Sequence, residues 1–234
     1  MNPAKEVGGD FYDFFMVDDD HLAFVVADVS GKGVPAALFM VIGKTLIKDH
    51  TGLHDDLGEV FSEVNNILCS SNSEEMFITA FEGVLNLKTG ELRYVNAGHE
   101  TPFICHANGV YEPFKLKAGF VLAGMEGIRY RSGSVQLNPG DKIFQYSDGV
   151  PEAMNSENEQ YGMNRLERVL SKNSDKSPTE LLPEVKADLD AFVGVAEQFD
   201  DITMLCVRFN SKDKKANLSV TPDKASIKTV MEFV

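Results

Sequence analysis

Three aspartates stand where runs of β-forming residues end or begin. Asp28 closes Phe24-Val25-Val26-Ala27, Asp148 closes Ile143-Phe144-Gln145-Tyr146-Ser147, and Asp200-Asp201 opens Ile202-Thr203-Met204-Leu205. A fourth cluster, Gly8-Gly9-Asp10-Phe11-Tyr12-Asp13, lies near the start. Taken singly, each is an ordinary turn residue, since aspartate is depleted within strands and common at their ends. Taken together, with glycine beside Asp10 and Asp148, they suggest strand ends where the backbone can approach a ligand closely. If these ends converge, the pocket is built of oxygen donors. Hard carboxylates suit Mg²⁺ or Mn²⁺ and not zinc. Two such ions can activate a water for in-line attack on phosphorus, so no covalent nucleophile is needed. The chain has neither a GxSxG elbow nor a Cys–His pair at a recognisable spacing.

The elements that must position these residues can be read from hydrophobic periodicity. His21–Ala27 is a buried strand ending at Asp28, and Ser30-Gly31-Lys32-Gly33 is a loop. Pro35 opens a helix with Leu38, Phe39, Ile42 and Leu46 on its apolar stripe. A second helix carries Leu57, Val60, Phe61, Val64, Ile67 and Leu68. Strands are expected over Met76–Leu87 and Glu91–Asn96, joined by Lys88-Thr89-Gly90, and over Pro102–His106 and Val110–Leu116. Val135–Leu137 and Lys142–Ser147 flank Asn138-Pro139-Gly140-Asp141, a strong turn signal. Helices follow around Met163–Leu170 and Pro178–Phe192, and a strand over Ile202–Phe209 closes the domain. Hairpins imply antiparallel sheets, and helices arriving in consecutive pairs imply an α+β protein with sheet on sheet and helices outside.

Composition narrows the function. The 234 residues are 43% apolar, enough for a substantial core. The formal net charge of −14 disfavours nucleic acid and anionic membrane as partners but not divalent cations. Three separated cysteines, Cys69, Cys105 and Cys206, with no CxxC, argue for reduced thiols rather than a disulfide framework. No apolar run is long enough to span a bilayer and no signal-peptide core is present, so the expected location is cytoplasmic.

Five motifs occur in order: Gly8-Gly9-Asp10-Phe11-Tyr12-Asp13, Ala27-Asp28-Val29-Ser30-Gly31-Lys32-Gly33, Asn96-Ala97-Gly98-His99, Tyr146-Ser147-Asp148-Gly149-Val150 and Phe199-Asp200-Asp201-Ile202-Thr203. The chain resembles the metal-dependent type-2C (PPM) protein phosphatase superfamily, in its bacterial sporulation stage II and stress-response branch. The resemblance implies a four-layer αββα sandwich of two antiparallel sheets, a centre of two Mn²⁺ or Mg²⁺ ions, and catalysis through bound metal by Asp28, Asp148 and Asp200. It implies metal ligation by Asp10, Asp28, the Val29 carbonyl, Asp148 and Asp200, with Asp201 the adjacent alternative. Asp13 is read as structural. No arginine precedes the first motif, and Ser30 and Lys32 stand where the eukaryotic pattern has a histidine. Phosphate capture and the general acid therefore stay open, with Lys32 a candidate phosphate contact or an exposed loop lysine. His99 is read as fixing a turn, and His21, His50, His54 and His106 show no ligand spacing.

The implied substrate is a phosphoserine or phosphothreonine on a regulatory protein resembling an anti-sigma-factor antagonist. Competing readings are a catalytically silent docking module and another metal-dependent phosphoester hydrolase. A homodimer is one of the partners considered. Movement of the first helix could shift Asp28 or Val29 and so switch metal affinity. Residues 1–209 form the expected phosphatase domain and 210–217 a linker. Residues 218–234, a short strand and then a helix from Pro222, resemble the truncated opening of a histidine-kinase-like ATPase domain. The expectation is a piece of a longer signalling chain carrying sensor or ATPase domains.

Overall fold

The computed structural model describes residues 1–4, 8–106 and 109–210, and the backbone of 215–220 and 231–232. The protein is α+β, with two antiparallel sheets and four α-helices among the described residues. It divides into two compact units, each built on one sheet.

One unit comprises residues 5–100 and 115–136. Its sheet has the order β1-β2-β3-β4-β7, from β1 (Phe11–Met16), β2 (His21–Val29), β3 (Ile78–Asn86), β4 (Glu91–Ala97) and β7 (Ser132–Gln136). Alternation sorts the side chains of β2. Ala23, Val25, Ala27 and Val29 join a core with the helices, while Leu22, Phe24 and Val26 are buried on the opposite face. The helices are α1 (Val34–Thr51), which opens with Pro35 in its first turn, and α2 (Leu57–Ser70), capped by Asp56 accepting from the Gly58 N–H at 2.8 Å.

The apolar stripe of α1 differs from the one periodicity suggests. Ala36, Phe39, Gly43 and Ile47 are buried, whereas Leu38 and Ile42 are exposed. The decisive residue is Gly43: a Cβ there would lie 2.4 Å from Ile78 Cδ1, so the bare backbone lets the helix settle on β3 along that face. In α2 the expected stripe is buried except for Ile67.

The other unit comprises residues 1–4, 101–114 and 137–234. Its sheet runs β11-β10-β9-β8-β5-β6, from β5 (Phe103–Cys105), β6 (Tyr111–Pro113), β8 (Lys142–Tyr146), β9 (Met204–Asn210), β10 (Lys215–Val220) and β11 (Met231–Glu232). Helices α3 (Met163–Lys172) and α4 (Pro178–Val193) bury Leu166, Leu170, Leu181, Val185 and Leu189 with Phe144, Tyr146 and Met204. The N-terminus of α4 is a capping box of Ser177 and Glu180.

Two expectations are corrected here. The turn Asn138–Asp141 does not close a hairpin: β7 pairs with β4 in one sheet and β8 with β5 and β9 in the other. Asp141 Oδ2 accepts from the Asn138 N–H at 2.9 Å and the Gly140 N–H donates to the Phe209 carbonyl at 2.7 Å, which ties the turn to β9. A turn signal specifies a reversal locally but not which strands pair. The second correction concerns 210–217: Lys215–Val220 is a strand on β9, so the expected linker is partly sheet, and β9 is not the last strand. The unpaired edge of β9 offers the backbone partners that a linker would leave to water. The helix expected over 222–234 lies outside the described residues except at Met231–Glu232, which pairs with β10 as a strand.

Candidate metal centre

In the first unit, β1 and β2 pair with Phe11 opposite Ala27. Continuing that register by one residue sets Asp10 opposite Asp28. Asp10 is almost wholly buried, at 1% exposure, and Asp28 is half-buried. On β1, Phe11 belongs to the helix-facing core, so Asp10, its neighbour, falls on the opposite face together with Asp28. The Val29 carbonyl is close by, because a Cβ on Gly9 would lie 2.7 Å from that oxygen. Gly9 is thus required by close packing, and the backbone brings two carboxylates and a carbonyl to one end of one sheet. All are hard oxygen donors, the set that accepts Mg²⁺ or Mn²⁺.

Asp13 belongs elsewhere. Its Oδ2 lies 3.8 Å from both Lys44 Nζ and Lys48 Nζ of α1, so it pins the helix to the strand, in keeping with a structural role. Lys32 is exposed on the loop before α1.

In the second unit, β8 and β9 pair with Tyr146 opposite Met204, and the Ser147 N–H continues the ladder to the Thr203 carbonyl at 3.0 Å. Ser147 Oγ accepts from the Thr203 N–H at 3.1 Å. These bonds deliver Asp148 and Gly149 onto the Asp200–Asp201 backbone. The two acidic neighbours are not equivalent. Asp201 is buried, and its Oδ1 accepts from the Ala4 N–H at 2.8 Å, which anchors the N-terminal segment that also bridges Asn2 to Ile202. Asp200 is half-buried, and its Oδ1 accepts from the Asp201 N–H at 2.9 Å. Asp201 is thus tied to the N-terminal segment, and Asp200 to the backbone of its own neighbour. Among the described residues, no three His, Cys, Asp or Glu side chains are gathered as a ready-made metal cage.

His99 is a turn-former. Its N–H donates to Asn96 Oδ1 at 2.8 Å, Asn96 Nδ2 donates to the His99 carbonyl at 3.0 Å, and its Nδ1 pairs with Thr79 Oγ1 at 2.8 Å. Asn96 and His99 are both buried. Asn96→Ala removes both of these hydrogen bonds to the His99 backbone. It is expected to cost about 2 kcal/mol of unfolding free energy, measurable by urea denaturation. Three other histidines sit with acids, His21 with Asp18, His54 with Glu59 and Glu63, and His106 with Asp141, while His50 Nδ1 lies 2.8 Å from the Leu46 carbonyl.

The sequence reading assigns no role to residues 117–131, yet this segment is built into the first unit. Buried Asn65 accepts from the Ala123 N–H at 2.9 Å and donates to the Met125 carbonyl at 2.8 Å. The signal available in sequence is three glycines, Gly119, Gly124 and Gly127, spaced around Phe120 and Met125.

The fold is that of the PP2C-type phosphatase domains. The SiaA-PP2C domain of Pseudomonas aeruginosa superposes with a TM-score of 0.78 at 24% identity, over 89% of this chain and 83% of that one. Residues 18–210 match the family described as stage II sporulation protein E (SpoIIE), and the chain belongs to that family. Curated relatives include Protein IcfG of Synechocystis sp. (strain ATCC 27184 / PCC 6803 / Kazusa), 33% identical over 90% of this chain, and phosphoserine phosphatase RsbU of Bacillus subtilis (strain 168), 30% identical over 88%. The chain spans 37% of the length of IcfG and 61% of the length of RsbU. No helix among the described residues is long and apolar enough to cross a membrane.

Proposed function

We propose that this chain is a divalent-metal-dependent phosphatase acting on phosphoserine or phosphothreonine of a regulatory protein of the anti-sigma-factor-antagonist kind. The observation that carries the reading is the placement of buried Asp10 opposite Asp28, with the Val29 carbonyl packed against Gly9. Two carboxylates held side by side repel each other, and a divalent cation bound by both offsets that repulsion. Membership of the SpoIIE family and the likeness to RsbU supply the phosphoryl chemistry.

In this reading Asp10, Asp28 and the Val29 carbonyl are the metal ligands of the first unit, and Asp148 and Asp200 are the metal ligands of the second. Bound ions supply Lewis acidity, which activates water and offsets the charge that builds up on the phosphoryl oxygens. The chain's own residues fix donor geometry: Gly9 and Gly149 by close backbone packing, Ser147 by its ladder to Thr203. Lys32 is the candidate point charge for the phosphate.

The test is hydrolysis of a phosphoserine protein and of p-nitrophenyl phosphate, with and without Mn²⁺, by the wild type and by Asp148→Asn and Asp28→Asn. Turnover is expected only with Mn²⁺, with a loss on the order of a thousandfold in either variant. Turnover that persists without added Mn²⁺ in chelator, or survives both substitutions, would refute the reading. Calorimetric Mn²⁺ binding without hydrolysis would mark a silent docking module instead.

A further inference from the structure

A groove of about 700 Å³ opens on the first unit, between the end of α2, the approach to β3 and the 119–127 segment. Its prominent walls are Phe77, Phe120 and Met125, which are 42%, 48% and 58% exposed. Glu75 and Glu126 also line it, and among the described residues no lysine or arginine does. Glu126 lies near enough to Cys69, another lining residue, that its charge helps hold that thiol above its ordinary range, after burial.

Three large apolar side chains exposed together are unusual unless something covers them. Here they are displayed on a rigid frame rather than a loose loop. Ile78 and Leu122 exchange backbone hydrogen bonds of 2.9 and 2.8 Å. Asn72 Nδ2 donates to the Met76 carbonyl at 2.6 Å and the Ala123 carbonyl at 3.2 Å, while its Oδ1 accepts from the Met76 N–H at 3.0 Å. Asn66 Oδ1 accepts from the Gly127 N–H at 2.8 Å. Preorganisation of this kind lowers the entropic cost of binding. Aromatic and methionine side chains set in such a frame make effective anchors.

The groove also adjoins the loop that carries the proposed metal ligands. The Ser30 N–H donates to the Phe77 carbonyl at 2.9 Å, and Ser30 Oγ accepts from the Phe77 N–H at 2.8 Å. Ser30 directly follows Asp28 and Val29, and Val29 itself pairs with Ile78. We infer that this groove docks the substrate polypeptide next to its phosphorylated residue, seating an apolar side chain against Phe77, Phe120 and Met125 and a neighbouring lysine or arginine against Glu75 and Glu126. The inference rests on the phosphatase reading above. It assigns the selectivity for flanking sequence to a surface beside the proposed metal ligands rather than to the ligands themselves. A carboxylate rim without basic residues selects the cationic neighbour by charge complementarity.

The probes are two synthetic phosphoserine peptides, one with leucine and arginine flanking the phosphoserine and one with alanine and glutamate, beside p-nitrophenyl phosphate. With Mn²⁺, the wild type is expected to favour the Leu/Arg peptide about tenfold or more in kcat/KM, the ratio equivalent to one anchoring contact. Phe120→Ala/Met125→Ala is expected to erase that preference and leave p-nitrophenyl phosphate turnover unchanged. Glu126→Lys is expected to remove the part due to arginine. No preference in the wild type, or equal losses on peptide and p-nitrophenyl phosphate, would overturn the docking site. If the wild type hydrolyses nothing, the phosphatase reading fails separately, and fluorescence anisotropy with the labelled Leu/Arg peptide decides the groove. Binding lost in the double variant upholds it, and absent or unaltered binding overturns it.

Discussion

Gly149→Ala is expected to be among the most damaging single-methyl additions to this chain, costing about 3 kcal/mol or more and abolishing Mn²⁺-dependent turnover. The added Cβ would stand 1.9 Å from the Asp201 carbonyl oxygen and 2.9 Å from its carbon. Both are backbone atoms, so no side-chain rotation relieves the clash. The two segments are also stitched together by the Ser147 N–H to the Thr203 carbonyl and by the Thr203 N–H to Ser147 Oγ. Separating them stretches those bonds and moves Asp148 relative to Asp200. The loss of function should therefore exceed what unfolding explains. Far-UV circular dichroism during urea titration gives the stability, and Mn²⁺ calorimetry on the folded fraction gives the site. Gly52→Ala is the control, since its Cβ meets only Val17 at an ordinary 3.8 Å, and it should shift stability by no more than about 0.5 kcal/mol. A Gly149→Ala protein with wild-type stability and Mn²⁺ affinity would contradict this packing.

A second large effect is expected at Glu82. This side chain is on the helix-facing side of β3, fully buried, between Val25 and Val95 on the neighbouring strands. Its Oε1 lies 2.7 Å from Thr51 Oγ1, whose one hydroxyl proton is shared between this carboxyl and the Ile47 carbonyl, and Oε2 has no hydrogen-bond partner among the described residues. Burial raises its pKa from 4.5 to about 8, and the bond from Thr51 only partly opposes the shift. Between those pH values the folded chain holds a proton that the unfolded chain has released. Raising the pH therefore favours unfolding, by about 1.4 kcal/mol per pH unit. Glu82→Met keeps the volume and removes the titration, while Thr51 Oγ1 still donates to the Ile47 carbonyl at 2.6 Å. The variant is expected to be several kcal/mol more stable than the wild type at pH 8, with the gap shrinking steadily toward pH 5. Chemical denaturation at pH 5, 6, 7 and 8 measures it. A difference that stays constant across that range would mean Glu82 does not titrate there.

Much of the candidate metal centre is legible in sequence because the chemistry it would need is local. A carboxylate at a strand end next to glycine declares both the end of the ladder and a close backbone approach, as Asp10 after Gly9 and Asp148 before Gly149 do. The strands, the four helices and the α+β class follow from periods of two and 3.6 residues. Where the reading failed, a nonlocal contact decided. Leu38 and Ile42 are as apolar as Phe39, yet the buried side of α1 is the one that sets Gly43 against Ile78, with Ala36, Phe39 and Ile47. Asn138–Asp141 looks like a hairpin turn, yet its flanking strands pair with β4 on one side and with β5 and β9 on the other. The tie of Asp201 to the scaffold comes from the Ala4 N–H, nearly two hundred residues away in the chain, which donates to Asp201 Oδ1. The groove at Phe77, Phe120 and Met125 has no sequence signature, because its members come from separate segments held together by Asn65 and Asn72.

The sequence by itself determined which residues can ligate a hard cation, which segments form strands and helices, and which motifs tie the chain to its family. Those properties depend on side-chain type and on neighbours within a few positions. Tertiary structure alone decided which helix face is buried, which strands pair across a turn, which of two adjacent aspartates is committed to the scaffold, and where a buried glutamate keeps its proton. Each of these depends on burial and contact between residues far apart in the chain, which no local period encodes.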